Sequence, residues 1–281
     1  MKSNDIYSYL DVKTDRFRCI FFDLDGTLLT SDKQISRRTI AYLKHLHETY
    51  DFRFGIASGR NITSILPLVD HYQLDGVFDV IVANNGADIV SLKERKVDRC
   101  GKIEKTKVME VIQRFIDRPE IIVFFHDRNK LYSTGINRVI RNIQKANHED
   151  QIIDLHSCHS FQSPSRIALF ASDEEMMEEI KNVSFEQLKG YHSEPQIYEY
   201  VRSDISKSNG IFRYVSRFGK SLHDVMAFGD GNNDVEMLSE CRFGVCMKNG
   251  TSMAGNAADF ITPCSNDEDG ITAFLQTYIK E

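Results

Sequence analysis

Short apolar runs alternate with stretches of helical spacing over the first third of the chain. Residues 18–22 form an apolar run of strand length, ending in Cys19-Ile20-Phe21-Phe22. Ser36 is placed to cap a helix running to about Tyr50, with Ile40, Leu43 and Leu46 on its apolar face. Phe52–Ala57 predicts the next strand, Asn61–Tyr72 a helix with a kink at Pro67, and Val77–Ala83 a third strand ending in Asn84-Asn85-Gly86. Strand, helix, strand, helix, strand is the pattern of a parallel sheet with helices packed against it.

The pattern then changes. Residues 87–100 predict a hairpin around the charged turn Lys93-Glu94-Arg95-Lys96. Further on come a helix near 104–117, a strand Ile121–Phe125, a turn at Asp127-Arg128-Asn129-Lys130 and a returning strand at Leu131–Ser133. A helix at 136–147, a strand near 165–171, an acidic helix over 173–189 and a strand near 196–201 complete this portion. Paired strands with interspersed helices predict a separate α+β layer.

The first pattern returns with a helix from Ser206 to about Phe218. A buried strand Val225–Phe228 leads into Gly229-Asp230, followed by a helix at Asn233–Leu238, short strands at Phe243–Met247 and Asp259–Thr262, and a helix after Gly270. The predicted fold is α/β: a parallel-sheet core formed discontinuously by 1–85 and 202–281, interrupted by an inserted domain at 86–201.

Composition narrows the function classes. With 281 residues and 41% hydrophobic content, the chain can bury a substantial core. A net charge of −6 gives no electrostatic reason to expect nucleic acid or an anionic membrane as partner. No stretch approaches the roughly 18 apolar residues of a spanning helix, and residues 1–17 lack the apolar core of a signal peptide. Cys19, Cys100, Cys158, Cys241, Cys246 and Cys264 include no Cys-x-x-Cys pair, which points to free thiols and a cytoplasmic protein. On that reading the sequons at Asn61, Asn182 and Asn249 carry no glycan.

The chemistry lies at strand ends. Asp23-Leu24-Asp25-Gly26-Thr27 sets two carboxylates two residues apart after a buried strand, an arrangement that needs a shared cation or a retained proton. Ala57-Ser58-Gly59-Arg60 offers a hydroxyl and a glycine N–H ahead of a helix, Lys207 stands at another helix start, and Gly229-Asp230-Gly231-Asn232-Asn233-Asp234 runs from strand end into helix. In an open parallel sheet, ligands bind beyond the carboxyl ends of the strands. Ser58, the Gly59 N–H and Lys207 suit phosphate oxygens, while Asp23, Asp230 and Asp234 supply hard oxygens for Mg²⁺. Phosphoryl transfer needs that combination.

These four motifs, in this order, resemble the haloacid dehalogenase-like superfamily of phosphohydrolases. The insert between Asn85-Gly86-Ala87 and Lys207 is similar to that of the Cof-type branch, which carries a large α/β cap. The resemblance covers nearly all of the chain beyond its N-terminal extension. It implies a Rossmann-like core with helices on both faces, and a Mg²⁺-dependent phosphatase acting on small phosphorylated metabolites such as sugar phosphates. Asp23 is then the nucleophile that forms an aspartyl-phosphate. Asp25 is the acid that protonates the leaving group and the base that activates water, and its backbone carbonyl joins Asp23, Asp230 and Asp234 around the metal. Ser58, Gly59, Lys207 and Asn233 hold the phosphoryl group. The closing segment Asn266-Asp267-Glu268-Asp269-Gly270 also matches the family. One departure is Met247-Lys248-Asn249-Gly250, where Lys248 replaces a usual glycine; it points to solvent or reaches the site entrance.

Each motif also admits a plainer reading. Asp in a glycine-flanked turn often only bonds nearby backbone N–H groups. A calcium loop fails because Leu28 and Val235 stand where glycine is required, and Gly229-x-Gly231 lacks the third glycine of a dinucleotide site. His126, His156 and His159 read as surface or packing residues, and Arg95, Lys96 and Arg99 as a solvated face. A phosphomutase shares every motif and differs only in product. A binding module without turnover should lack the nucleophile, acid or lysine, and none is missing. A monomer or small homo-oligomer is expected.

Overall fold

The computed structural model describes residues 18–279 apart from 128, 148 and 159. The N-terminal extension and the expectation for His159 therefore lie outside the described residues. The chain divides into two units, one built from the segments up to Cys100 and from Ile205 onward, the other from Gly101–Asp204.

The first unit begins with β1 (Cys19–Phe22), α1 (Arg37–Tyr50), β2 (Arg53–Ala57), α2 (Ile62–Tyr72) and β3 (Phe78–Ala83). The hairpin β4 (Asp88–Ser91) and β5 (Lys96–Arg99) follows. In the second unit come α3 (Lys105–Phe115), β6 (Ile121–Asp127), β7 (Lys130–Ser133), α4 (Arg138–Ala146), β8 (Gln151–Asp154), β9 (Ile167–Ala171), α5 (Glu174–Lys181), β10 (Leu188–Glu194) and β11 (Ile197–Arg202). The first unit resumes with α6 (Lys207–Val215), β12 (Val225–Gly229), α7 (Val235–Glu240), β13 (Phe243–Cys246), α8 (Ser252–Ala257), β14 (Phe260–Ile261) and α9 (Gly270–Tyr278).

The first unit's sheet has the order β14-β13-β12-β1-β2-β3-β4-β5, parallel through β3 and antiparallel at its last two steps. Every residue of β1 is buried, as a central strand covered on both faces requires. Ile20 and Phe22 pack with Leu43, Leu46, Ile65, Val69 and Phe274 on one side. Cys19 and Phe21 pack with Ile211, Val215 and Met237 on the other. This is the two-sided α/β core that the apolar runs predict. Phe21 fits because its neighbour is Gly55, where a Cβ would stand 2.2 Å from the ring. The side chains of Ser36 and Asn61 cap α1 and α2, and Pro67 lies inside α2.

The hairpin continues the first unit. Residues 88–99 extend the first sheet as antiparallel strands, and the units part at 100/101 and 204/205 rather than at 85/86 and 201/202. The chain turns back directly after β3 because Asn84, Asn85 and Gly86 take positive φ (49°, 51° and 101°), letting Asp88 pair with Ala83.

The second unit holds a six-stranded sheet, β10-β11-β9-β6-β7-β8, antiparallel except for the β7–β8 pair. One face packs Val108, Ile112, Phe115, Met177 and Ile180 from α3 and α5, and the other packs Ile140 from α4. The single helix expected over 173–189 ends at Lys181, and Leu188–Glu194 is instead a strand. Tyr200 ties down the end of the helix: its hydroxyl lies within hydrogen-bond distance of the carbonyls of Ile180 (2.9 Å) and Val183 (2.8 Å), its one hydrogen shared between them, securing the end of α5 to β11. The edge strand β8 and the helix α8 were not anticipated, the one half exposed and the other carrying Gly255 at its centre.

Candidate active site

The first motif leaves β1 in a tight loop. The Asp23 N–H continues the sheet by donating to the Phe228 carbonyl (2.9 Å), so the Asp23 side chain emerges at the carboxyl end of the central strands. Gly26 turns the chain at φ 80°, and a Cβ there would stand 2.3 Å from Asp230 Oδ2. Only glycine leaves that space open. Thr27 donates its hydroxyl to Asp230 Oδ1 (2.8 Å), joining the first and last motifs.

Lys207 is brought in by another close approach. A Cβ on Gly86 would lie 2.0 Å from the Ser206 carbonyl oxygen, and one on Gly210 would lie 2.4 Å from Val82. The first turn of α6 thus sits directly against the end of β3. Lys207 is 1% exposed, and its ammonium donates to Asp23 Oδ1 and to Asp234 Oδ1, both at 2.6 Å. Asp234, fully buried, accepts at its other oxygen from the backbone N–H groups of Asp230 (3.0 Å) and Gly231 (2.9 Å).

The electrostatics follow from this crowding. Burial pushes the Asp23 carboxyl up to about 7; Lys207 opposes the rise, and the charges of Asp234 and Asp230 add to it. Burial also raises Asp230 above the ordinary carboxylate range, against the hydrogen bond from Thr27. Burial alone would lower Lys207, but its two carboxylate partners outweigh that and hold the ammonium charged above its usual value. A cation placed against Asp23 and Asp230 would relieve their mutual repulsion.

Asp23, Asp230 and Asp234 each offer a carboxylate oxygen, all within 4.8 Å of one another. Three hard carboxylate oxygens brought together where Gly26 lets the loop approach Asp230 fit Mg²⁺. Asp23 and Asp230 fit as direct ligands, whereas each Asp234 oxygen already accepts hydrogen bonds that fix Lys207 and the loop.

The second motif forms at the end of β2. Ser58 is 2% exposed, its N–H bonds the Val82 carbonyl, and its hydroxyl oxygen accepts the Arg60 N–H (3.2 Å). Gly59 lies against Asn85, with a Cβ placed 3.1 Å from Asn85 Oδ1 and 3.6 Å from Asn233 Nδ2. Asn233 donates to Asn85 Oδ1 at 3.1 Å. Ser58, Gly59 and Asn233 thus share one corner, with Asn85 bridging from the end of β3. Asn85 escaped assignment from the sequence, although its place in Asn84-Asn85-Gly86 at a strand end was a signal.

Asp25 stands apart from the carboxylate cluster in its partners. Arg60 grips it with Nε to Oδ2 and Nη2 to Oδ1, both 2.6 Å, and Lys33 adds Nζ to Oδ1 at 2.7 Å. Burial alone would raise its carboxyl, but the hydrogen bonds from Arg60 and Lys33 prevail and hold it below the usual range. Arg60 was legible as part of its motif but had no role assigned. Lys33, beyond a turn and unmarked by any motif, was missed.

The closing segment is tied in as well. Asn249 donates to the Gly26 carbonyl (2.8 Å) and accepts from the Asn266 N–H (3.0 Å), while Asn266 Nδ2 bonds the Leu29 carbonyl (2.8 Å). Lys248 is exposed and its N–H bonds the Thr262 hydroxyl, so the departure from glycine leaves this tie intact. Elsewhere, His126 pairs with the Glu149 carboxylate and His156 with Asp154, while Arg95, Lys96 and Arg99 are exposed. None of the six cysteines forms a disulfide, and among the described residues no helix is long and apolar enough to cross a membrane.

Comparison with known proteins agrees with this geometry. A provisionally named phosphatase of Mycoplasma pneumoniae is 26% identical over 277 residues, covering 93% of this chain and 97% of the relative. The 5-amino-6-(5-phospho-D-ribitylamino)uracil phosphatase of Bacillus subtilis is 25% identical over 282 residues, covering 93% and 97%. The solved structure of a haloacid dehalogenase-like hydrolase from Bacteroides thetaiotaomicron shares the fold, with a TM-score of 0.74 at 23% identity over 93% of this chain and 99% of that one. The family model of haloacid dehalogenase-like hydrolases matches residues 20–275. The chain therefore belongs to the haloacid dehalogenase-like hydrolases and is a phosphatase of that superfamily.

Proposed function

We propose that this chain is a Mg²⁺-dependent phosphatase that hydrolyses small phosphorylated metabolites through an aspartyl-phosphate on Asp23. The observation that carries the reading is the Asp23 carboxylate at the carboxyl end of β1, held by a buried lysine and flanked by Asp230. Lys207 orients one Asp23 oxygen and, with Asp234, is itself fixed for contact with a phosphoryl group. Ser58, the Gly59 N–H and Asn233 supply further donors, arranged at one corner where a transferring group gains most from preorganised dipoles. Bound at Asp23 and Asp230, Mg²⁺ would offset repulsion between the carboxylate and a dianionic phosphate. Asp25 is the group proposed to protonate the leaving alkoxide and then to take a proton from the water that cleaves the aspartyl-phosphate.

The unit formed by Gly101–Asp204 is proposed as the cap that selects the substrate. The Bacillus subtilis relative is named for a phosphorylated ribityl compound, which supports a phosphate monoester on a polyol or sugar as the substrate class. Six cysteines without a disulfide suit a cytoplasmic setting.

Phosphate release from a panel of phosphorylated metabolites, with Mg²⁺ or EDTA, tests the proposal against Asp23→Asn protein as the blank. Metal-dependent release that vanishes in the variant is the expected result; equal release by both proteins would refute the mechanism.

A further inference from the structure

Asp25 is gripped by two cations through three hydrogen bonds, a fact the four-motif reading leaves unused. The Arg60 fork sets the plane of the carboxylate, because a two-point contact fixes orientation where a single one would let the group rotate. The fork is itself anchored: the Arg60 N–H bonds the Ser58 hydroxyl oxygen, and the Arg60 carbonyl accepts the Asn84 N–H at 2.9 Å. Arg60 therefore links Asp25 to the ends of β2 and β3. Lys33 reaches the same carboxylate from the turn between Thr30 and Gln34, closed by the Lys33 N–H to Thr30 carbonyl bond (2.9 Å) and the Thr30 N–H to Gln34 carbonyl bond (2.8 Å).

Guanidinium and ammonium groups only donate. The clamp thus holds Asp25 as an acceptor, the form that can receive a hydrogen bond from water. Delivery of a proton to a leaving group asks the opposite of it. The observed arrangement suits one half of the proposed cycle, the breakdown of the phospho-enzyme.

We propose that Arg60, assisted by Lys33, is the positioning residue that aims Asp25 at water and so governs hydrolysis of the aspartyl-phosphate rather than its formation. This rests on the phosphatase reading above. In the step concerned, the water oxygen bonds to phosphorus and the bond from phosphorus to the Asp23 oxygen breaks. Asp23 leaves as a carboxylate, the water proton passes to Asp25, and inorganic phosphate is the product.

The test is rapid mixing of the full chain with p-nitrophenyl phosphate in MgCl₂, comparing the parent with Arg60→Met, Arg60→Lys and Lys33→Met. The p-nitrophenolate leaving group departs without a proton, so the first half-reaction does not need Asp25 as an acid. Arg60→Met should keep a burst of p-nitrophenolate close to the parent's first-turnover rate. Its steady-state rate should fall about 10–100-fold, part of the ~10²–10⁴-fold worth of a general base. Phosphate trapped on Asp23 by acid quench should rise accordingly. Arg60→Lys, restoring the charge but one contact point, should fall between, and Lys33→Met should lose severalfold. Lys33 is a surface residue, so its variant carries the test if Arg60→Met does not fold. Parental steady-state rates in the folded variants, or burst and steady state slowed by the same factor, overturn the proposal. A parent protein whose turnover survives Asp23→Asn would instead overturn the underlying mechanism.

Discussion

Replacing Lys207 by Met should destabilise the protein severely in a pH-dependent way. The lysine side chain is fully buried, and its ammonium is shared between Asp23 and Asp234 at 2.6 Å each. Methionine fills a similar volume, so the cavity term is small. The loss is electrostatic: two buried carboxylates are left beside Asp230 without a cation. Breaking a buried pair by removing one partner costs about 3–5 kcal/mol. At roughly 2–4 °C per kcal/mol for a unit of this size, the melting temperature should fall by about 6–20 °C at pH 8 in EDTA. The sign of the pH dependence is fixed. Lys207 has its charged form favoured by the fold, so its contribution is complete at pH 8 and fades only as pH rises through the lysine's elevated folded-state range. Asp23 is pushed up to about 7 even with the lysine present. A carboxylate raised in the folded state destabilises above its ordinary range, so the deficit should shrink as pH drops from 8 through 7 toward 5. Adding Mg²⁺ at pH 8 should restore part of the loss. Differential scanning fluorimetry at pH 5 and 8, with EDTA or MgCl₂, measures all four cases. A variant melting within about 2 °C of the parent at pH 8 in EDTA would show that the lysine does not hold the cluster together.

Three further outcomes follow from the packing. Thr27→Val removes the hydroxyl that orients Asp230, and loss of such a support should weaken Mg²⁺ affinity about 10–100-fold by calorimetric titration; unchanged affinity would remove Asp230 from the metal site. Gly55→Ala places a Cβ 2.2 Å from the Phe21 ring and should cost about 1–3 kcal/mol in urea unfolding; the penalty should largely disappear in a Phe21→Leu background, and equal penalties in both would refute the contact. Burial pushes the thiols of Cys19 and Cys246 up to about 12 and 11 and raises Cys241 further, so a disulfide reagent at pH 8 should modify only Cys100, Cys158 and Cys264 before denaturant is added; rapid labelling of Cys19 in the folded protein would contradict its burial.

What the sequence revealed and what it hid divide along a physical line. Continuous apolar runs such as Cys19–Phe22 and Val225–Gly229 mark strands buried on both faces, and side chains capable of capping, such as Ser36 and Asn61, mark helix starts. Both signals are local, so the order of core elements was readable. The tail of the second unit was not. Leu188–Glu194 is half exposed and polar, and what makes it a strand is a row of hydrogen bonds to Ile197–Arg202, a partner that its own composition does not announce. The hairpin at 88–99 reads as a hairpin in the sequence, and in the structure it joins the first unit's sheet. Its pairing with Phe78–Ala83 depends on a turn built from two asparagines and a glycine at positive φ, and sequence spacing cannot say which sheet a hairpin joins.

The same line runs through the site. Asp23, Ser58, Lys207 and Asp230 were identifiable because each ends a strand or opens a helix, and the topology of a parallel sheet gathers those positions at one edge. The partners of Asp25 follow no such rule. Arg60 reaches it from two residues beyond Ser58, and Lys33 reaches it back across the turn after β1. Side-chain length and loop geometry set those contacts, and neither leaves a periodic trace. The gathering of the motifs is the basis for the proposal that a phosphoryl group is held here. On the proposed mechanism, any separation of the two halves of the reaction comes from contacts like those on Asp25, because the carboxylate cluster and its lysine would serve both halves alike. On the proposed mechanism Asp23 is what distinguishes this site from a mere phosphate-binding corner, and the contacts proposed to time its turnover, Arg60 and Lys33 on Asp25, are ones that only the folded chain brings together.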